Sequence, residues 1–499
     1  MDVDLVMAVD VLPTSALEIS AQALRRKRVR GFLVAGLVLL LFGIWLGLEA
    51  PRGIVFGTDE LLTAERSREM LMTGPWVVHY NFEPSFSKPP LQYWLTSFTL
   101  SRFQDPAVAV RIWPLFYGVL TAIALGWLAF LIEPNEPWLI PIAVVILISA
   151  PLFSTESARG LLDIGLTLFT TLTFVFAQLA RKKPAWWLGV AAACWLGGLQ
   201  KIPLPFLIWL LIVLVRLADR DERSNLRKAA GWLVGSMLLA IGLMSIWPSL
   251  QLIKYGMPVR SLLQQEAVHW LDPSELGGRP YFEVPIALCS RGGLCGFLSL
   301  FAVFAILFSK KISPSAPVRE IAIVSLSLIA LIIVSNFRSV RYAVPIVPCL
   351  CLLLAVVFYR FLKVAPPLRN YAIAVFALVL AAGFAHSETQ IVLRHKKAGD
   401  EKLIAEKLGQ LQQPGIKTIL IKAAKTESDL LWDSFYLFHG NFRFPVTKLT
   451  PDQIRASPPT PPLIGACVAR DFPVVQNLYP NVQVALSRAQ FICWQVPAE

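Results

Sequence analysis

The stretch RRKRVRGFLVAGLVLLLFGIWLGLEA, residues 25–50, sets five cations directly before a run that carries no charge until Glu49. About 20 apolar residues make a helix of roughly 30 Å, the thickness of a bilayer's hydrocarbon core. Residues 1–30 lack the apolar centre of a cleavable signal, so the run reads as an uncleaved anchor behind a basic tail. The pattern recurs at roughly 106–132, 137–153, 160–180, 184–199, 203–218, 229–253, 291–308, 319–335, 342–362 and 370–386. Residues 90–104 (PPLQYWLTSFTLSRF) read as a further span or as an interfacial helix. The expectation is a polytopic α-helical membrane protein with about 11–13 transmembrane helices.

Composition excludes the competing classes. Of 499 residues 56% are hydrophobic, with 15 Trp and 30 Phe, and only 16% are charged, against about 25% in an ordinary soluble chain. The mean hydropathy is +0.60. A soluble protein could not hide that much apolar surface, and a disordered one would not carry it. Seven cysteines are too few for a disulfide scaffold. The net charge of +13 raises nucleic acid as a partner. However, the cations fall in short clusters between apolar runs, not along one face, so the partner they imply is the lipid bilayer. Segments at 25–30, 181–183, 216–228, 310–319 and 360–369 hold 19 Lys and Arg; the longer intervening loops hold 12. By the positive-inside rule the N-terminus is cytoplasmic, and an odd count of spans puts the C-terminus outside.

The tail, 387–499, is polar. EKLIAEKLGQL (401–411) reads as a helix, and KTILIK (417–422), PLIGACVA (462–469) and VQVALSRAQFICWQV (482–496) read as strands. Some 110 residues suffice for a small α/β domain. Cys467 and Cys493 lie in it, either as a disulfide or as two buried thiols. The division is therefore 1–30 basic tail, 31–386 membrane domain with large outer loops at 51–105 and 254–290, and 387–499 outer α/β domain.

Ionisable groups on the outer side are the first functional suspects. They are densest in GTDELLTAERSREMLMTGPWVVHYNFEPSFSKPPLQYW, 57–94. Asp59 and Glu60 open a helix where carboxylates suit the positive end. Leu61, Leu62, Ala64, Met70 and Leu71 give it an apolar face and Glu65, Arg66, Arg68 and Glu69 a charged one, so it is expected to lie flat on the membrane surface. A plain solvated loop helix fits the same pattern. Lys88, held extended before Pro89-Pro90, suits a lipid phosphate or ordinary headgroups.

This block resembles the first outer loop of the GT-C fold glycosyltransferases that use lipid-linked sugars, in particular the aminoarabinose–lipid A transferase branch and its protein O-mannosyltransferase relatives. Asp59, Glu60, Glu65, Arg68, Glu69, Met70, Gly74, Trp76, Lys88, Pro89, Pro90, Leu91, Tyr93, Trp94 and Leu95 stand at matching positions. SARGLLDIGLTLFTTL (157–172) resembles the family's Arg-x-x-x-Asp segment, giving Arg159 and Asp163. SVRYAVPIVPCLCLLLA (339–355) resembles its segment of a basic residue and a Tyr-x-x-Pro-x-x-Pro-x-Leu run, giving Arg341 and Tyr342, and Arg111 in VRIWP matches an arginine opening the second span.

The resemblance implies a membrane glycosyltransferase of the bacterial inner membrane, with the C-terminal domain in the periplasm. It would move one sugar, a pentose or hexose, from a polyprenyl-phosphate carrier to lipid A or another envelope glycan by inverting displacement. Asp59 and Asp163 are the expected catalytic carboxylates. Glu60, Lys88, Arg111, Arg159, His269, Arg341 and Tyr342 are the expected substrate contacts, with Trp270, Tyr281 and Phe282 available to stack. No cofactor is implied. Ser87 stands where the aminoarabinose branch has a glutamate associated with a metal, and a hydroxyl is a poor ligand, so no metal is expected. A protein O-mannosyltransferase and a lipid-linked-sugar flippase remain as alternatives. Against the flippase, the charges gather at one surface and no internal repeat is visible.

Overall fold

The computed structural model describes residues 14–256, 283–309, 314–334, 340–395, 399–422 and 427–498. His269, Trp270, Tyr281 and Phe282 lie outside them, as does most of the loop 254–290. Every apolar stretch read from the sequence is helical, 137–153 as two short helices and the rest as one each. In chain order these and their neighbours are α1 Thr14–Glu49, α2 Thr58–Thr73, α3 Leu91–Leu100, α4 Pro106–Ile132, α5 Leu139–Ile148, α6 Pro151–Ser157, α7 Asp163–Ala180, α8 Trp187–Gln200, α9 Leu204–Ala218, α10 Arg220–Lys228 and α11 Ala230–Tyr255. Gly293–Phe308, Ala316–Val334, Val347–Val364 and Arg369–Arg394 continue the bundle.

Among the described residues seven helices are long and apolar enough to cross a membrane, and the bent pair α5–α6 makes an eighth if it is one span. Three further apolar helices, α8, α9 and Gly293–Phe308, run 14, 15 and 16 residues, or roughly 21–24 Å. The chain is a multi-span membrane protein. α5 and α6 meet at 70°. Pro151 opens α6, and the Ser154 hydroxyl donates to the Ile148 carbonyl that the break leaves without a helical partner.

Burial sorts the spans. The windows in α7 and 341–364 are 83% and 78% buried, whereas that in 366–393 is 6% buried and that in α11 is 11%. The first two are the centre of the bundle and the last two turn their apolar side chains outward to lipid. The central pair carries Asp163 at the start of α7 and Arg341 and Tyr342 in the turn ahead of Val347–Val364, so their polar ends are positioned by the best-packed part of the molecule.

In the loop 51–105 one of two alternatives falls and one expectation changes. α3 has ten residues, about 15 Å, too short to span. It packs on α2, with the Ser97 hydroxyl donating to the Ser67 carbonyl at 2.6 Å. α2 does not lie with a solvated charged face. Glu65, Arg68 and Glu69 are buried while Leu71 and Met72 are exposed. The reason is tertiary: the C-terminal domain covers that face and supplies acceptors for Arg68.

The tail is a small α/β domain. Its helix 400–411 and strands 417–421 and 463–468 fall where the sequence put them. After the short hairpin β1 His79–Tyr80 and β2 Glu83–Pro84, the strands are β3 Lys417–Ile421, β4 Val446–Leu449, β5 Leu463–Val468, β6 Gln483–Arg488 and β7 Phe491–Val496. The stretch 482–496 is thus a hairpin, turning at Ala489 with φ 46°, where one strand was expected. The sheet order is β4-β3-β5-β7-β6, parallel in its first two pairings and antiparallel in the rest. Ala466 pairs with Cys493 and Cys467 with Ile492. Side chains alternate faces along a strand, so Cys467 and Cys493 project from opposite sides into separate cores. A disulfide between them is excluded, and both are free buried thiols, as Cys289 and Cys295 are free.

Candidate active site

Gly57, with φ 100°, starts α2. A Cβ there would sit 3.1 Å from Arg159 Nη2, so the glycine admits an arginine to the helix start. Asp59 and Glu60 follow in the first turn, where the N-terminal dipole favours carboxylates, but they serve different ends.

Glu60 is buried. Its Oε1 accepts from Arg111 Nε at 2.7 Å and from the Gly160 N–H at 3.1 Å, and its Oε2 from the Phe56 N–H at 3.3 Å and Arg111 Nη2 at 3.4 Å. The other donors of Arg111 go to the carbonyls of Ala50 (3.0 Å), Arg52 (2.7 Å) and Ile54 (3.0 Å). All five guanidinium donors are therefore engaged by protein. Burial pushes the Glu60 pKa up, but the charge and hydrogen bonds of Arg111, the charge of Arg159 and the Gly160 N–H hold it below the usual carboxylate range. The pair ties three segments together: the loop 50–56, the start of α2, and Gly160 beside Arg159. A side chain at Gly160 would meet Val110 at 2.3 Å, which keeps that junction close.

Asp59 is partly exposed and forms an ion pair with Arg341. Asp163 accepts from Lys201 Nζ at 2.6 Å, and the same ammonium lies 5.4 Å from the centre of the Tyr342 ring. Burial alone would lower the Lys201 pKa; Asp163 above all, with Tyr342 and Asp59, raises it above the usual lysine value, so it is charged at neutral pH. Arg159 Nη1 stands 3.9 Å from Glu156 Oε1. Asp59, Asp163, Arg159, Arg341 and Tyr342 are thus brought to one end of the bundle.

Arg159 and Arg341 line two cavities, of about 390 and 450 Å³. Glu60, Arg111 and His395 also face the first; Glu156, Arg291, His386 and Gln390 face the second. The second shares Pro151, Ser290 and His386 with a mainly apolar groove of about 420 Å³ that continues past Leu294 and Leu378. Lys88 lines neither cavity; it is half-buried in the segment leading to α3. Lys201, Arg291 and His386 were not singled out from sequence. Lys201 had a signal: it is the one cation in the short connection 200–203 between two apolar helices. Arg291 and His386 had none: the first ends the nine-residue helix Glu283–Arg291 and the second lies inside Arg369–Arg394.

At the position where the resemblance implies a metal-associated glutamate, Ser87 Oγ accepts from Arg66 Nη2 at 3.3 Å and lies 3.4 Å from Ser85 Oγ. A guanidinium against that hydroxyl repels a further cation, so these residues do not fit a metal ion. Among the described residues no group of three or more His, Cys, Asp or Glu side chains is arranged to hold one.

Comparison with known proteins bears on the family and the fold. Residues 54–272 match the family model described as dolichyl-phosphate-mannose-protein mannosyltransferase. Over 221 residues the chain is 29% identical to undecaprenyl phosphate-alpha-4-amino-4-deoxy-L-arabinose arabinosyl transferase 2 of Pseudomonas fluorescens, covering 42% of this chain and 37% of that protein. Over 164 residues it is 32% identical to the corresponding arabinosyl transferase of Yersinia pestis, covering 33% and 29%. The matched part is therefore under two fifths of either relative. The crystal structures of ArnT from Cupriavidus metallidurans superpose along almost the whole chain. The form bound to undecaprenyl phosphate gives a TM-score of 0.69 at 18% identity over 93% of this chain and 97% of that one. The apo form gives 0.65 at 17% over the same shares. The resemblance first carried by the loop 57–94 is borne out: this chain has the GT-C fold of the solved ArnT structures, and residues 54–272, under half of it, match the protein mannosyltransferase family model.

Proposed function

We propose that the protein is a glycosyltransferase that moves a single sugar from a polyprenyl-phosphate carrier to an acceptor at the outer face of the membrane, with its N-terminus cytoplasmic and its sheet domain outside. The observation that supports this most directly is the ion pair of Asp59 with Arg341, whose side chain lines with Arg159 a cationic cavity that runs on into an apolar groove. That combination suits a phosphate joined to a long hydrocarbon chain.

As the glycosidic bond breaks, negative charge builds on the leaving phosphate. Arg159 and Arg341 lower the barrier by meeting that charge, with the Lys201 ammonium behind Tyr342 adding to the positive field. Lys88 is an additional phosphate contact if the carrier extends towards α3. Asp59 faces the acceptor. For a hydroxyl acceptor it takes the proton as attack proceeds; for a phosphate acceptor it orients the group. Attack opposite the leaving phosphate inverts the anomeric carbon, with no covalent intermediate. Asp163 holds Lys201 and, through it, the face of Tyr342. Glu60 and Arg111 act as a brace that sets Asp59 against Arg159. His269 is retained as a sugar contact on the loop 254–290.

The named relatives favour an aminoarabinose-type sugar and lipid A as acceptor; the family model favours mannose and a protein hydroxyl as the second reading. The test uses the purified chain in nanodiscs with undecaprenyl-phosphate-linked 4-amino-4-deoxy-L-arabinose and lipid A, followed by mass spectrometry. A mass gain of one sugar on lipid A supports the first reading. Gain only on a serine- or threonine-rich peptide, from a mannose carrier, supports the second. Movement of the carrier between leaflets without any transfer overturns both in favour of a flippase.

A further inference from the structure

The face of α2 that meets the C-terminal domain is an arrangement that the transfer chemistry does not use. Arg68 is bidentate to Glu65, Nε to Oε2 at 2.7 Å and Nη2 to Oε1 at 2.6 Å. Its remaining nitrogen, Nη1, reaches into the C-terminal domain, to the Phe442 carbonyl at 2.7 Å and Asn441 Oδ1 at 3.2 Å. Glu69, one turn on, is fully buried, and its Oε2 accepts from the Phe82 N–H at 2.9 Å. Asn81 and Phe82 both sit at positive φ, 55° and 64°. Non-glycine residues seldom adopt that conformation without a compensating contact. Here it turns the Phe82 N–H onto Glu69 while Asn81 exchanges two hydrogen bonds with Val446 of β4, at 2.9 and 2.8 Å. Tyr80 adds a bond to Ser434 at 3.0 Å. The hairpin, α2 and the sheet domain thus meet at one buried cluster of two carboxyls and one guanidinium.

We propose that Glu65, Arg68 and Glu69 are positioning residues through which the C-terminal domain holds α2, and with it Asp59, in register with Arg341. The proposal rests on the reading of Asp59 as the acceptor-side carboxylate.

Charge balance gives the clamp its chemistry. Two buried carboxylates beside one guanidinium would leave a net negative charge in a dry site. With a proton on Glu69 the cluster is neutral, and its Oε1, buried and otherwise without a hydrogen-bond partner, can donate that proton towards Glu65. Burial first, then the charge and hydrogen bond of Glu65, push the Glu69 pKa up to about 8, against the opposing Phe82 N–H and Arg68. The other groups facing the cluster are the Tyr80 phenol from the hairpin, with Arg66 of α2 5.8 Å and Lys448 of β4 5.1 Å from its ring centre, and Asp433, which pairs with Lys448 at 3.0 Å. Because the folded pKa lies above the free value of 4.5, the contribution of the proton to the clamp is complete below that value. It declines as pH rises and is lost above about 8.

The test is hydrogen–deuterium exchange of residues 58–73 in the full chain in nanodiscs, at pH 6.5 and 9.5 after correction for intrinsic exchange. Protection of α2 is expected to fall about tenfold or more at the higher pH. Glu69→Gln, whose amide can donate to Glu65 and accept from Phe82, is expected to remove that pH dependence. Arg68→Ala is expected to lose protection at both pH values. If it does not fold, Asn441→Gly removes one acceptor on the domain side without straining a left-handed residue and is expected to show a smaller loss. Wild-type protection equal at both pH values, or a Glu69→Gln variant that falls as the wild type does, overturns the clamp. Transfer from undecaprenyl-phosphate-linked 4-amino-4-deoxy-L-arabinose is followed on the same samples. An Asp59→Asn variant that keeps full transfer would refute the assignment of Asp59 alone, since exchange decides the clamp independently.

Discussion

The carboxylate of Asp59 is ion-paired with the guanidinium of Arg341, 282 residues further along the chain. The pair joins the first turn of a loop helix to the polar end of a central span, so the acceptor-side carboxylate and a phosphate-side cation are held by different parts of the fold. Asp59→Asn should insert and fold as the wild type does, yet lower transfer by about 10²–10⁴, the usual worth of a general base. The check is a radiolabelled-sugar transfer assay beside a thermal melt; near-normal turnover would remove Asp59 from the reaction.

Lys201 and Arg341 should be felt in carrier binding. A hydrogen bond to a charged group contributes about 1.5–3 kcal/mol, so Lys201→Met or Arg341→Ala should weaken undecaprenyl phosphate by roughly 10- to 100-fold. Native mass spectrometry or thermophoresis with undecaprenyl phosphate reads this directly. Unchanged affinity would return both to a structural role.

The Glu60–Arg111 brace should appear as stability. Removing one partner of a buried pair leaves the other uncompensated, at about 3–5 kcal/mol. Arg111→Ala should therefore lower the melting temperature sharply and cut the yield of folded protein. Replacing both residues by similarly sized apolar ones should recover much of the stability but not the transfer rate, because Asp59 and Arg159 lose their common anchor.

His439 should make the junction between the tail domain and the loop 50–57 sensitive to acid. Its Nε2–H donates to the Val55 carbonyl at 3.0 Å. Burial, with some help from the Lys402 charge and against the Val55 bond, pushes its pKa down to about 4. The folded pKa lies below the free value, so the stabilisation is complete above about 6.5 and is lost as pH falls towards 4, roughly 3 kcal/mol at most. Melting temperature measured between pH 7 and 4 should decline, and the decline should flatten in His439→Gln.

Reductant should have no effect on stability, since Cys467 and Cys493 face opposite sides of the sheet. Melting with and without dithiothreitol, and mobility on non-reducing gels, should be the same.

Much of the membrane fold was legible because its cause is local. A run of about 20 apolar residues must form a helix in hydrocarbon, where every backbone group needs an internal partner. Ten of the eleven apolar stretches are single helices, three of them shorter than a span, and the eleventh, 137–153, is the bent pair α5–α6. Asp59 could also be named, because it stands in the densest set of charges on the outer side; Asp163, Arg159, Arg341 and Tyr342 are named through the resemblance of their segments to the GT-C enzymes.

What remained hidden depends on which segments meet. α2 reads as an amphipathic surface helix until the tail domain is laid over its charged face; Arg68 then finds acceptors at Asn441 and Phe442, 373 and 374 residues away. Lys201 looks like an ordinary loop lysine until α7 brings Asp163 to it. The strand-like run 482–496 conceals a turn at Ala489. The sequence alone therefore determined the solvent, the helices and the identity of most charged groups, since composition and periodicity act over a few turns. Only the tertiary structure decided which of those charges face substrate, which brace the loop, and which bind the outer domain to it, because a buried charge is defined by the partners that long-range packing supplies.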